Sequence, residues 1–460
     1  MYDFAIVGSG VSGGSIAYEL TAGGARCVLI EAGKAFDRHN FPGNEMGSST
    51  RMYWGGGMEM SRDARFAFLR GKCLGGTSVL NQALLHRFDD LAWDSWRDRS
   101  GVEYFAREAM EPLYDEALAR IAAQPIPSEY RNRNAELLVQ AFQKTGLSWE
   151  PILRAQSDCR WDRGSDCMVC LGGCPRDAKQ STLVRGIPQA RERGLVVETE
   201  LEAEQLIHAA DRVRVSGRCR GERREVEAAK VVLAGGAFGN TSLLLRSADI
   251  AKRLPALGSA FCCHPQFINY GLHDEPVDAH KGAFSSVESH DERLRKEGIK
   301  LENVAAPPIA TALLIPGWGR SHHALLRKYR HLACLEFAIR DEPVGRLRLG
   351  RRGELVRDKP LTDQDRERIR RGREVALELL SAAGAKQLIP CETAFGLHLM
   401  GGCPIGVDPT DSVVGPDFRV HGHQNLFAAD SSIFPTAPGI NPSFTIMALS
   451  LKAGRAMLEG

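Results

Sequence analysis

The 460-residue chain lacks the features of a membrane-spanning or nucleic-acid-binding protein. It contains no apolar run of 18 residues, so no segment is long enough to cross a bilayer. Its formal net charge is only +2, which gives no electrostatic reason to expect nucleic acid or an anionic membrane as a partner. It also lacks internal repeats and low-complexity tracts. The hydrophobic fraction of 43% and the charged fraction of 25% are ordinary for a globular protein with a sizeable core.

The chain also leaves no room for a signal peptide, because an apolar strand pattern begins at residue 2. Without an export signal, a disulfide framework is the poorer explanation for its 12 cysteines. Reduced thiols, some of them on a metal, are the better explanation. The length suits two closely joined domains.

The first 33 residues have the pattern of a dinucleotide-binding βαβ unit. An apolar strand runs into the turn GSGVSGG, a helix pattern follows, and a second apolar run ends on Glu31. Gly8 is predicted to form the tight turn, Gly10 to let the backbone approach a pyrophosphate, and Gly13 to let the helix pack against the strand. The helix N-terminus then offers unpaired N–H groups to phosphates, and Glu31 is predicted to hold two ribose hydroxyls.

A second glycine segment, Arg70–Asn81, reads RGKCLGGTSVLN. Glycines followed by hydroxyl residues and a helical run predict a second place where the backbone approaches a phosphate chain. The alternative is an ordinary helix start that Thr77 or Ser78 caps.

Four cysteines fall close together after a region, from about residue 89 to 147, whose pattern is helical. They are Cys159, Cys167, Cys170 and Cys174. Close thiolates repel unless a cation neutralises them, so the candidates are an iron–sulfur cluster, zinc, or metal-free thiols and disulfides. The ending C-x2-C-x3-C-P is similar to part of a bacterial ferredoxin ligand run and favours the cluster, whereas zinc prefers two separated CxxC pairs.

The C-terminal part contains HLMGGC from His398, NLFAAD ending on Asp430, and GINPSFT around Asn441. Together with the N-terminal GxGxxG and the RGKxLGG segment, this arrangement resembles the glucose–methanol–choline (GMC) oxidoreductase family. The strand, turn and helix at 230–244 are similar to that family's second signature, except that asparagine–threonine replaces serine–proline.

The resemblance implies FAD as the cofactor and His398 and Asn441 as the catalytic residues. The implied cofactor contacts are Gly8, Gly10, Gly13, Glu31, Gly75, Gly76, Ser78, Asn81 and Asp430. A neutral imidazole can accept the hydroxyl proton as a hydride leaves to flavin N5, and Asn441 can hydrogen-bond the same oxygen. The alternatives are a structural histidine in a glycine loop at His398 and a helix N-cap before proline at Asn441.

A cysteine-rich subset of the family, resembling iron–sulfur sugar dehydrogenases and long-chain alcohol oxidases, carries a similar segment in this place. The resemblance therefore implies an iron–sulfur cluster on the four cysteines, a protein or quinone electron acceptor, and a small partner subunit. A cytoplasmic location is expected, with export on the partner subunit's signal as the alternative.

The region from 261 to 390 lacks such glycine turns and predicts mixed strands and loops. Strand patterns cover 267–272, 309–315, 332–340 and 345–349. Thr362 or Asp363 is expected to cap a charged helix that runs to about Ala383. We therefore expect an α/β fold of the GMC/cholesterol-oxidase type: a Rossmann-like FAD-binding domain (1–260 and 391–460, with a cysteine-rich insertion at about 155–180) and a sheet-based substrate domain (261–390).

These expectations combine into an FAD-dependent dehydrogenase that oxidises a sugar, polyol or other carbinol, with His398 as the base. Two alternatives stay open. One is an alcohol oxidase that passes electrons to O2 and has structural cysteines; the other is a non-catalytic flavoprotein electron-relay subunit.

Overall fold

The computed structural model describes residues 1–157, 159, 167–208, 211–283 and 285–460, with backbone alone at 167–169. The strands are β1 (Tyr2–Val7), β2 (Cys27–Ile30), β3 (Glu59–Met60), β4 (Phe66–Phe68), β5 (Gln124–Pro125), β6 (Trp149–Pro151), β7 (Leu153–Arg154), β8 (Val196–Glu198), β9 (Leu201–His208), β10 (Val213–Cys219), β11 (Glu222–Leu233), β12 (Gln266–Leu272), β13 (Val287–Ser289), β14 (Ile299–Asn303), β15 (Leu332–Ile339), β16 (Arg346–Leu349), β17 (Leu355–Asp358), β18 (Gln387–Ile389), β19 (Ala394–Gly396) and β20 (Leu426–Ala428).

The helices are α1 (Val11–Ala22), α2 (Glu45–Met52), α3 (Thr77–Leu80), α4 (Asp90–Ser100), α5 (Arg107–Ala119), α6 (Arg133–Thr145), α7 (Ile187–Glu192), α8 (Gly236–Arg246), α9 (Ala248–Ala251), α10 (Glu292–Glu297), α11 (Pro308–Leu314), α12 (Gly319–Leu326), α13 (Asp363–Ala382) and α14 (Ser443–Glu459). None of these helices is long and apolar enough to cross a membrane.

The first sheet has the strand order β8-β2-β1-β11-β10-β9, with β20 paired to β11. Strands β2, β1, β11 and β20 run parallel, and Val7 pairs with both Ile30 and Leu233, which in turn pairs with Ala428. The carboxyl ends of these strands therefore reach one edge, where open α/β sheets bind their ligands. Their apolar residues are buried, as expected for a parallel sheet that helices cover.

The second sheet has nine strands in the order β3-β4-β19-β12-β15-β14-β13-β6, with β18 paired to β12. Helix α13 covers β15 and β12; a Cβ added to its Gly372 would lie 2.6 Å from the Phe337 ring, so glycine allows this close packing. Four strands of the sheet, β3, β4, β6 and β19, come from outside residues 261–390. The sheet thus extends beyond the substrate domain drawn from composition.

One predicted strand is wrong. Residues 309–315 fall within and just after helix α11, which begins at Pro308 in the first-turn position that suits proline. The Glu45 carboxylate accepts hydrogen bonds from the Ile309 and Ala310 N–H groups, both at 2.8 Å, and so satisfies the helix N-terminus from a distant part of the chain. This partner was not visible in the local sequence pattern.

Candidate active site

A cavity of about 1390 Å³ lies at the carboxyl edge of the first sheet and extends to the second sheet. Val7, Ile30 and Asp430 line it where strands of the first sheet end, whereas Glu302 and Glu336 line it from β14 and β15. Both sheets therefore contribute walls to one space.

The first glycine turn is built as a cradle that opens toward this cavity. Gly8 has a positive φ of +104°, and a Cβ there would lie 2.3 Å from the Ala234 oxygen. A Cβ on Gly13 would lie 1.9 Å from the Gly8 oxygen, so glycine is required for α1 to approach β1. No atom of the described residues lies within 4 Å of a Cβ on Gly10, which lines the cavity. The open side at Gly10 fits the pyrophosphate of a dinucleotide.

The second glycine segment closes onto the first. A Cβ on Gly76 would lie 3.0 Å from the Gly10 Cα, and the Gly75 N–H donates to Ser9 Oγ at 2.9 Å. Ser78 Oγ donates to the Gly75 oxygen at 2.6 Å, and Thr77 Oγ1 accepts the Gly71 N–H at 3.0 Å.

Neither of these hydroxyls caps α3, because the N-cap residue of α3 is Gly76 and no side chain caps it. The helix-cap alternative for this segment is therefore wrong. Both hydroxyls instead form hydrogen bonds within the second segment, and the Gly75 N–H joins that segment to Ser9 of the first turn.

Glu31 lies buried at the end of β2 and lines the cavity. Its carboxylate accepts hydrogen bonds from the Ser9 N–H at 3.2 Å, from Ser9 Oγ at 2.5 Å and from the Gly33 N–H at 2.7 Å. Burial raises the pKa of Glu31, and these hydrogen bonds oppose the shift. The side chain is thus held rigidly at the position where a ribose is expected.

Asp430 connects the C-terminal strand to the start of α8. Its carboxylate accepts the Gly236 N–H at 2.6 Å, the Asn240 Nδ2 at 2.9 Å and the Ser432 N–H at 2.8 Å. Burial raises the pKa of Asp430 against these hydrogen bonds. The asparagine that departs from the family's second signature therefore has a structural role here.

His398 and His264 form a hydrogen-bonded pair beside the cavity. The Gly439 N–H donates to His264 Nε2 at 2.8 Å, so His264, when neutral, carries its proton on Nδ1. That proton points at His398 Nδ1, 3.1 Å away. Neutral His398 then carries its own proton on Nε2. Burial and nearby cations lower the pKa of His264 to about 3 and that of His398 well below its usual value, so both rings are neutral near pH 7.

Lys300 binds Asn441 and two carboxylates in the same region. Its ammonium forms an ion pair with Glu288 Oε2 at 2.7 Å, and it donates to Glu302 Oε2 at 3.1 Å and to Asn441 Oδ1. The N-cap residue of α14 is Pro442, so the helix-cap alternative for Asn441 is wrong. Because Lys300 occupies its oxygen, the Asn441 amide is left with its N–H donors for other partners.

Glu302 and Glu336 lie directly opposite each other on β14 and β15. Gln266 Nε2 donates to Glu336 Oε1 at 2.7 Å. Burial, the neighbouring Glu302 charge and a hydrogen bond to Glu302 raise the pKa of Glu336 well above its usual value. Burial and the neighbouring charge therefore favour the protonated form of Glu336.

The structure brings most predicted site residues to the cavity. Those that line it are Gly8, Gly10, Glu31, Gly76, Ser78, Asn81, His398, Asp430 and Asn441. Gly13 and Gly75 support the wall from behind. Sequence reasoning missed His264, Lys300, Glu302 and Glu336. A signal was present, because ionisable residues such as Glu336 stand inside otherwise apolar strands, but only the register shows that they meet.

The cysteine segment borders the cavity through Leu171 and Gly172. Cys159, Cys170 and Cys174 are half-buried, and the Cys170 oxygen accepts a hydrogen bond from Lys179 Nζ at 2.6 Å. Among the described residues, no three His, Cys, Asp or Glu side chains form a group that could hold a metal ion. The Cys167 side chain and residues 158 and 160–166 lie outside the description, so the four-cysteine set stays a prediction.

A glycine cradle beside a cavity with paired acid–base side chains defines a dinucleotide-dependent enzyme with a separate substrate sheet. Comparison with known proteins narrows this class. Two family models, both described as GMC oxidoreductase, match residues 49–266 and 356–450, which is more than half of the chain. The chain belongs to the GMC oxidoreductase family. FAD as the cofactor and oxidation of CH–OH groups follow from this membership.

The chain is similar over nearly its whole length to known members. It is 28% identical to an uncharacterised GMC-type oxidoreductase of Mycobacterium tuberculosis, over 98% of this chain and 74% of that protein. It is 26% identical to a long-chain-alcohol oxidase of Arabidopsis thaliana, over 96% of this chain and 65% of that protein.

Solved structures have the same fold. Pyridoxine 4-oxidase from Mesorbium loti superposes with a TM-score of 0.75 at 19% identity, covering 99% of each chain. Formate oxidase of Aspergillus oryzae superposes with a TM-score of 0.75 at 16% identity, covering 99% of this chain and 98% of that one. The likeness confirms the predicted α/β architecture, a Rossmann-like FAD domain with a second sheet.

Proposed function

We propose that the protein oxidises an alcohol at the part of the cavity where His398 and Asn441 lie. The observation that carries this proposal is that both side chains line the same cavity as the glycine cradle. Bound FAD would supply the hydride acceptor. The remaining chemistry, which is to bind the hydroxyl oxygen and to accept its proton, belongs to side chains of the chain itself.

The proposed cofactor contacts follow from the shape of the cradle. Gly10 and Gly76 give the pyrophosphate access to backbone N–H groups, and Glu31 holds the ribose. Ser78, Asn81 and Asp430 line further parts of the proposed FAD site. Gly8, Gly13 and Gly75 act indirectly, because they allow the turns and the close packing that form the cradle.

For the hydroxyl oxygen, His398 and Asn441 are proposed as a pair of donors. The hydrogen bonds from Gly439 to His264 and on to His398 support a proton on His398 Nε2. Lys300 holds the Asn441 oxygen, which leaves the amide N–H groups for the substrate. Two neutral donors in a buried site would stabilise the negative charge that develops on the oxygen as its proton leaves.

This tautomer changes the role that the sequence predicts for His398. A base needs a free lone pair at the substrate, and neutral His398 would offer an N–H there instead. We therefore give the role of proton acceptor to Glu302, which lines the cavity and also lies with His398 on a smaller adjoining void. Burial raises the pKa of its neighbour Glu336, which favours a proton on that side chain, and Lys300 pairs with the Glu302 carboxylate at 3.1 Å.

The electron acceptor is proposed to be O2. Three of the four comparison proteins named above are oxidases (a long-chain-alcohol oxidase, a pyridoxine 4-oxidase and a formate oxidase), which supports an oxidase over the dehydrogenase that the sequence predicts. The iron–sulfur route through Cys159, Cys167, Cys170 and Cys174 is the competing proposal. Iron and acid-labile sulfide in anaerobically purified protein, without peroxide formation, would favour that route.

The test is anaerobic reduction of the FAD-loaded protein by a panel of primary and secondary alcohols, followed through the loss of flavin absorbance. Glu302→Gln should slow reduction by about 10² to 10⁴-fold, the usual contribution of a proton acceptor. His398→Gln keeps an N–H donor and should lose less than His398→Ala. If instead His398→Gln and His398→Ala are equally slow and Glu302→Gln is nearly normal, then His398 is the base.

A further inference from the structure

Large apolar side chains are exposed at the mouth of the cavity. Four residues both line the cavity and face solvent: Met46, Met58, Ile309 and Leu313. Leu313 is 59% exposed, and Trp318, four residues beyond the end of α11, is 88% exposed. Exposed apolar groups that gather at one place usually mark an interaction site.

Apart from Met58, these side chains lie on or beside helices that contact one another. Glu45 on α2 binds the N-terminus of α11 through two hydrogen bonds of 2.8 Å. His322 on α12 bonds to the Ala312 oxygen of α11 at 3.0 Å. Helices α2 and α11 therefore border the cavity, and α12 packs beside them on α11; we call these three helices, with Trp318 and residues 327–328, the rim.

The same rim carries positive charge. The sequence from 303 to 335 contains no aspartate or glutamate, although it contains four arginines and lysines. Arg330 pairs with Asp278, whereas the exposed Arg320, Arg327 and Lys328 make no ion pair within the described part of the chain. The whole molecule is nearly neutral, whereas residues 303–335 carry a local excess of positive charge.

We propose that this rim docks on an anionic lipid bilayer surface. Apolar and tryptophan side chains that enter the headgroup region, flanked by unpaired basic residues, are the pattern of a protein that lies on a membrane without crossing it. Docking there would place the cavity mouth against the bilayer, where an alcohol dissolved in lipid could enter. The inference goes beyond the proposed reaction, because vesicle binding requires no turnover.

The test is flotation of the full-length, FAD-loaded protein with phosphatidylcholine vesicles, with and without about one-third phosphatidylglycerol. Binding is expected only with the anionic lipid. Arg327→Glu with Lys328→Glu should weaken binding at least 25-fold, at about fivefold for each charge removed. Trp318→Ser or Leu313→Ser should weaken it about tenfold each, because each removes a buried apolar group.

Two control variants test whether binding depends on the rim itself or on any change of net charge or exposed apolar surface. Lys252→Glu with Arg253→Glu makes the same change in net charge beyond helix α9, and Val407→Ser removes an exposed apolar group that does not line the cavity. Both controls should bind like the wild type. Brominated lipid should quench wild-type tryptophan fluorescence, and Trp318→Phe should lose that quenching while it still binds.

Three results would overturn the proposal. The first is that the protein does not bind anionic vesicles. The second is that the rim variants and the control variants lose binding equally. The third is a dimer in sedimentation velocity that depends on Trp318, without vesicle binding, which would assign the rim to a second copy of the chain. Reduction of the flavin by a water-soluble alcohol should be normal in Trp318→Ser. A failure of membrane docking can therefore be distinguished from a failure of the proposed reaction.

Discussion

Gly10 and Gly13 belong to the same turn, yet the space around them differs completely. Within the described parts of the chain, a Cβ on Gly10 would meet no atom within 4 Å, whereas a Cβ on Gly13 would lie 1.9 Å from a backbone oxygen. Gly10→Ala should therefore fold normally but bind FAD at least tenfold more weakly, a loss of about 1.4 kcal/mol, because the methyl group enters the phosphate space. Fluorescence titration of the apoprotein with FAD measures this loss.

Gly13→Ala is the matched control for that prediction. It should lower the midpoint of thermal unfolding in the absence of FAD, which Gly10→Ala should leave unchanged. If both variants unfold alike and bind FAD alike, the cradle does not hold the pyrophosphate.

The sequence predicts these glycines well because their roles depend on a short, local turn. It predicts His398 and Asn441 through the same kind of local motif. It does not predict that Lys300 would hold the Asn441 oxygen, or that His264 would set the tautomer of His398. Those partners come from strands and loops more than 100 residues away, and only the folded register brings them together.

At the scale of elements, the facing strands β14 and β15 make stability depend on pH through Glu336. The pKa of Glu336 is raised in the folded protein. Below the unfolded pKa, near 4.3, the side chain is protonated in both states, so it does not change the free energy of unfolding. As the pH rises above that value, the unfolded state releases the proton more readily than the folded state, so the free energy of unfolding falls. Glu336→Gln should therefore raise the free energy of unfolding at pH 7.5 and leave it unchanged at pH 4. Urea unfolding at both pH values measures the difference.

Glu288 on the neighbouring strand β13 is the control, because its pKa is shifted in the opposite direction. Lys300 and His86 oppose the effect of burial and lower its pKa to about 2. Its stabilisation is fully present above the unfolded pKa and is lost as the pH falls toward 2. Glu288→Gln should cost on the order of 3 kcal/mol at pH 7.5 and little near pH 2. Parallel pH profiles for the two variants would contradict the assigned pairing.

Helix α13 shows an element that the sequence specifies by itself. Thr362 Oγ1 accepts the Asp365 N–H at 3.1 Å, and Asp365 Oδ2 accepts the Thr362 N–H at 2.8 Å, which completes the predicted cap as a capping box. Thr362→Ala should lower the free energy of unfolding by about 1 kcal/mol, measured by urea titration. Thr362→Ser keeps the hydroxyl and should be nearly neutral.

Helix α11 shows the opposite case. Its start is satisfied by Glu45, more than 260 residues earlier in the chain, and the apolar run alone was compatible with a strand. The second sheet also contains β3, β4, β6 and β19, which lie outside residues 261–390 and are too short to be recognised without the strands that they join.

At the scale of the whole molecule, the cofactor should stabilise the fold, because its cavity takes walls from both sheets. FAD at 100 times its dissociation constant should add about 2.7 kcal/mol to the free energy of unfolding. Calorimetry of the apoprotein at increasing FAD concentrations measures this gain. FMN, which lacks the adenylate half that Glu31 is proposed to hold, is the control and should stabilise less. Equal effects of FAD and FMN would contradict the assigned orientation.

The contact between α1 and the residue that follows β20 has a consequence for synthesis of the protein. Ser12 Oγ bonds to the Ala429 oxygen at 3.1 Å, although the two residues are 417 positions apart in the chain. At about 5 to 20 residues per second, roughly 20 to 80 seconds separate the emergence of α1 from that of its partner on a ribosome. During that time the apolar face of α1 is uncovered and the cradle is open. We therefore expect the nascent chain to need protection by chaperones and to take up flavin only after release.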